Sequence, residues 1–127
     1  MNLYLFFSGL LTVILALIHS IVGEILIINP LQKVEGLPAM FGSVGLTKQT
    51  LRLAWHITTL LAFGLAAVLF YYSQFSAFDS SQIFVLKSIS ITYFASFFVA
   101  LVGSRGKHIA WFVFLLAAIL TWMGMNP

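Results

Sequence analysis

Long apolar runs alternate with short polar connections along this chain, and four of the runs approach the length of a membrane crossing. A bilayer core about 30 Å thick takes roughly 20 apolar residues in a helix. The pattern predicts helices over about 3–28, 48–73, 82–103 and 108–125. These leave no stretch for a soluble domain. The predicted fold is all-α: one four-helix transmembrane domain over residues 1–127, an up-down antiparallel bundle. Pro30 is expected to stop the first helix and Thr47 to cap the second. Asp79, Ser80 or Ser81 is placed to cap the third. The long first connection holds an apolar segment at 37–41, suited either to the headgroup layer or to folding back over the bundle.

The polar positions set an orientation. Connections one and three hold Lys33, Lys48, Arg52, Arg105 and Lys107, whereas the opposite side has only Lys87, which can snorkel outward. Cations in short loops favour the cytoplasm, so both termini are expected on the non-cytoplasmic side. In the third helix Ser88, Thr92, Ser96 and Ala100 recur at intervals of four. Small residues at that spacing let membrane helices approach closely, and the stripe is expected to be a packing surface. Trp55, Trp111, Trp122 and the Tyr71-Tyr72 pair fall near helix ends, as an aromatic belt requires.

Composition strengthens the membrane assignment. Hydrophobic residues make up 61% of the 127 positions, against roughly 45–50% in soluble domains. The first apolar run has no basic segment before it and is too long for the core of a cleavable signal, so it is expected to be a helix of the protein. Cysteine is absent, which excludes disulfides and thiolate chemistry. The formal net charge of +3 comes from loop cations, a topology signal and not a nucleic-acid footprint. The expected surroundings are the lipid bilayer of a cell's inner (plasma) membrane, crossed several times, with a homo-oligomer or larger membrane complex as the assembly.

Against so apolar a background, His19, Glu24, Arg52, His56, Arg105 and His108 stand out, all at or just inside one predicted membrane face. An ionised side chain at the bilayer centre costs roughly 2.5–3.5 kcal/mol even on lenient scales, so each invites a functional reading. His19 and His56 fall at similar depth on adjacent helices. Neutral imidazoles from two helices can ligate haem iron or another transition metal. In that reading His19 and His56 are the ligand pair and Arg52 and Arg105 hold the propionates. A non-haem ion would draw on His19, His56, His108 and Glu24. Glu24 lies about 140° round the helix from His19 at 100° per residue, so the two do not point together. The spacing forms no recognised metal motif.

Two other readings stand beside this one. Histidine and glutamate within a membrane make proton relays, which suits a small proton-coupled transporter or channel. The charges can also pair to set helix register in a non-catalytic assembly or accessory subunit. A membrane hydrolase is disfavoured, because Ser20 follows His19 directly and neighbouring helical residues diverge by about 100°.

The segments His19-Ser20-Ile21-Val22-Gly23-Glu24, Leu51-Arg52-Leu53-Ala54-Trp55-His56 and Ser104-Arg105-Gly106-Lys107-His108 resemble those of small four-helix bacterial inner-membrane proteins with no activity attached to them. The resemblance implies a bacterial inner-membrane location and nothing about mechanism.

Overall fold

The computed structural model describes residues 1–126. It is all-helical. Helix α1 runs over Leu3–Gln32, α2 over Val44–Tyr72, α3 over Ser80–Gly103 and α4 over Ala110–Gly124. The first three are long and apolar enough to cross a membrane. At about 1.5 Å per residue the 15 residues of α4 extend only about 22 Å, short of the hydrocarbon thickness.

Pro30 does not end α1. Just before it the helix widens into a π turn at Glu24–Ile28, and the Asn29 amide donates to the Glu24 carbonyl five residues back. A proline ring in a regular helix collides with the carbonyl four residues earlier and leaves it unpaired. The wider turn relieves that conflict, and α1 continues to Gln32. The start of α2 also differs from expectation. Ser43 is the N-cap, its hydroxyl accepting from the Leu46 amide at 3.2 Å. Thr47 instead ties down the loop, donating to Pro38 O at 2.6 Å and accepting from Met40 N at 2.9 Å. The apolar loop segment does not fold over the helices, for Phe41 is 94% exposed. Asp79 caps α3 as expected, in a reciprocal pair with Gln82.

Hydrogen bonds join the helices at successive heights. Asn2 N donates to Ser73 O at 2.6 Å, and the Asn2 side-chain amide donates to Gly124 O at 2.6 Å, so the start of α1 meets the ends of α2 and α4. Further along α1, Ser8 Oγ lies 2.8 Å from Thr121 Oγ1 and donates to Ala117 O at 3.1 Å. Thr12 Oγ1 lies 2.6 Å from the Tyr93 hydroxyl. Such buried polar ties between membrane helices contribute about 0.6–2 kcal/mol each. Past Ser20 the ties among the described residues run to α2, ending where Gln32 and Lys48 clasp one another at 2.6 and 3.2 Å.

The apolar core gathers toward the end where the termini meet, with Leu5, Leu69, Leu86 and Met125 among its buried members. The stripe Ser88, Thr92 and Ser96 takes no part in it. Ser88 and Thr92 are exposed, and all three hydroxyls donate back to carbonyls of their own helix at 2.8–2.9 Å. The buried face of α3 is instead Leu86, Ile89, Ser90 and Tyr93. Among the described residues Ser88 and Thr92 make no packing surface within the chain, whereas Ser96 and Ala100 are half-buried.

Candidate functional site

The polar site forms where α1 and α2 pair near the far end of the membrane-spanning region. Glu24 lies roughly 32 Å along α1 from Leu3, and Arg52 roughly 30 Å along α2 from Tyr72. Both therefore stand about one hydrocarbon thickness from the termini. Ser20 and His56 lie one turn further in.

Register brings these four side chains together. Ser20 and Glu24 are four apart on α1 and share a face, as do Arg52 and His56 on α2. His56 Nδ1 is 2.9 Å from Ser20 Oγ, and His56 Nε2 is 3.1 Å from Glu24 Oε2. The other carboxylate oxygen of Glu24 is ion-paired with Arg52. Both ring nitrogens of His56 are thus engaged. With Glu24 ionised, Nε2 carries a proton toward it, and Nδ1 accepts from the Ser20 hydroxyl. Glu24 opens the π turn, a helix irregularity common at functional sites. The site is uncovered on one flank: the Glu24 side chain is 18% exposed, against 37% for His56 and 51% for Arg52.

His19 belongs to a neighbouring arrangement. Its ring stacks on Trp55, with centroids 4.2 Å apart and planes within 9°. The Trp55 indole N–H donates to His19 O at 3.0 Å. His19 Nε2 lies 3.1 Å from Thr58 Oγ1 and 3.3 Å from Trp55 O. Because the Thr58 hydroxyl already donates to Trp55 O at 2.7 Å, Nε2 must supply the proton. Gly23 makes this stacking possible, since a Cβ there would run into the indole.

Arg105 and His108 lie apart from these residues, in the exposed turn between α3 and α4. Arg105 takes a left-handed conformation, φ 51°, where the chain reverses after α3. His108 Nδ1 accepts from the Ala110 amide at 3.2 Å and so serves the start of α4. Among the described residues neither side chain bonds to Glu24, Arg52 or His56, and no three of His, Cys, Asp and Glu are grouped as metal ligands.

Ser20 is not among the residues that charge and depth single out. Its signal was the series Ser8, Thr12, Ala16, Ser20 and Glu24, every fourth residue of α1 and therefore one face. Ser8, Thr12 and Ala16 on that face are buried. Beside it, buried Thr59 of α2 has a hydroxyl with no hydrogen-bond partner among the described residues. An unpaired buried hydroxyl costs about 1–3 kcal/mol.

No family model matches this chain, and no curated protein or solved structure matches it either.

Proposed function

We propose that this protein is a multi-pass inner-membrane protein that relays protons at its cytoplasmic face, as the coupling element of a small proton-coupled transporter. The observation that carries the reading is the bridging of both imidazole nitrogens of His56, to Ser20 on one side and Glu24 on the other. A proton arriving at Nδ1 makes the ring an imidazolium, and the proton on Nε2 can then leave to the Glu24 carboxylate. A histidine bridged in this way is a proton shuttle. Arg52 holds the carboxylate in line and offsets its charge. Toward the termini the polar face of α1 ends at Leu5, whose side chain is fully buried. In this conformation the pathway is therefore open near the charged site and closed at the other end, which must open for a proton to cross.

Sidedness follows from the cations. With the loop between α1 and α2 and the turn between α3 and α4 in the cytoplasm, five of six cations lie inside. The helices then run as an up-down antiparallel bundle with both termini outside, α4 reaching less deeply. The resemblance noted above implies a bacterial inner membrane, and the reading adopts that location. Four helices enclose little space, so a homo-oligomer is the natural carrier.

The test is proton flux into liposomes holding purified protein under an imposed pH gradient, read with an internal pH dye. Wild-type protein should dissipate the gradient, and Glu24→Gln and His56→Gln should each slow it by about tenfold or more. Wild-type liposomes no leakier than empty ones would sink the reading.

Haem or metal binding is the second reading, and one observation favours it: with its proton on Nε2, His19 keeps Nδ1 available as a ligand. His56 would have to release Ser20 or Glu24 to join it. An oxidised-minus-reduced absorbance spectrum of protein from haem-supplemented cells decides the haem case. A Soret band lost in His19→Ala would establish it, and a flat spectrum would end it.

A further inference from the structure

The polar face of α1 is interrupted at one place. Toward the termini, Ser8 with Thr121 and Thr12 with Tyr93 form buried hydroxyl pairs. Toward the charged site, Ser20, His56 and Glu24 form a continuous series. Between Thr12 and Ser20 lie two helical turns, roughly 12 Å, with only the methyl group of Ala16 on that face.

Thr59 falls at this level. Ser20 pairs with His56, so in the same register three residues deeper Thr59 stands level with Leu17, between Ala16 and Ser20. It is 5% exposed, and it lies one turn from Trp55 and His56 on the face of α2 turned toward α1. A threonine inside a helix ordinarily donates to the carbonyl four residues back. For Thr59 that carbonyl is Trp55 O, which is already approached by the Thr58 hydroxyl at 2.7 Å and by His19 Nε2 at 3.3 Å. The competition leaves the Thr59 hydroxyl without a partner among the described residues.

We infer that Thr59 and Ala16 mark a buried water site beside Ser20 and His56. The inference rests on the proton-relay reading and extends it inward from the charged site. Thr59 Oγ1 donates to the water, and the water donates onward to Ser20 Oγ. An extra proton that reaches the water passes to Ser20 Oγ as the Ser20 hydroxyl proton passes to His56 Nδ1, which leaves the water and Ser20 neutral. No atom is gained or lost; one proton advances. The Thr58 hydroxyl and His19 Nε2 then keep Trp55 O engaged, which leaves the Thr59 hydroxyl to the water.

The experiment compares wild type, Thr59→Val and Thr59→Ser in the liposome flux assay, with infrared spectra in H2-16O and H2-18O. A bound water should give an O–H stretching band that shifts with the oxygen isotope in wild type and Thr59→Ser. Thr59→Val should lose that band and slow flux by about tenfold, the loss of one hydrogen-bonded link, with its melting temperature kept. Thr59→Val with unchanged flux, no band in wild type and a raised melting temperature would overturn the water site, because a dry unpaired hydroxyl is relieved by a methyl group. Absence of flux in wild type would overturn the relay itself. The isotope-sensitive band would then still decide whether Thr59 holds water.

Discussion

Gly23 and Trp55 meet so closely that hydrogen is the only side chain the contact admits. That contact sets the spacing of α1 and α2 beside the charged site, one residue before Glu24 and one before His56. Gly23→Ala should push the indole aside, breaking the His19–Trp55 stack and pulling Glu24 away from His56. The expected cost is about 1–3 kcal/mol, the usual range for overpacking. Thermal unfolding in detergent followed by tryptophan fluorescence checks it, and a melting temperature equal to wild type would contradict the close contact.

Glu24 and Arg52 should behave as a unit. Arg52 is half exposed, so the pair is screened and contributes only about 1 kcal/mol. Glu24→Gln and Arg52→Gln should each destabilise by about that amount, and the double variant by little more than either single one. Additive losses in a double-mutant cycle would show that the two side chains do not interact.

The hydroxyl pairs near the termini should act on stability with no effect on the charged site. Ser8→Ala and Tyr93→Phe each remove one member of a buried pair, at 2.8 and 2.6 Å. Each should lower stability by about 1 kcal/mol, within the range measured for polar ties between membrane helices. The readout is the denaturation midpoint in mixed detergent. Ser8→Ala should leave proton flux near wild type, because the Ser8 hydroxyl bonds to Ala117 and Thr121 and not to the charged site.

Asp79 adds a pH dependence at the start of α3. The Ser81 hydroxyl beside it, then the Gln82 amide, hold its carboxyl below the ordinary carboxylate range. A carboxyl lowered in the folded state adds stability above its unfolded pKa, and that stability is lost as pH falls through the folded value. The melting-temperature gap between wild type and Asp79→Ala should therefore be steady near neutral pH and narrow below about pH 4. A gap that widens on acidification would contradict the assignment.

How much of this was legible in advance differs from residue to residue. The 140° between His19 and Glu24 correctly separated them, since helical phase is local and needs no partner. The same rule put Ser20 and Glu24 on one face, yet nothing in a single helix marks that face as the one meeting His56. Arg105 and His108 share the predicted depth of the site but not its position around the bundle. Depth follows from hydropathy, whereas lateral position follows from which helices pack together.

Hydropathy and length alone determined that this is a helical membrane protein, with a polar level about one bilayer thickness from the start of α1. These follow from the cost of exposing polar backbone to lipid, which each segment meets within itself. Tertiary structure alone decided that α1 passes through Pro30 by way of a π turn and that Ser88 and Thr92 of α3 face outward. It also decided that Ser20, and not His19, completes the site with His56 and Glu24. Each of these depends on the rotation of one helix against another. That rotation is set by contacts such as Gly23 on Trp55 and Thr12 on Tyr93, far apart in the chain.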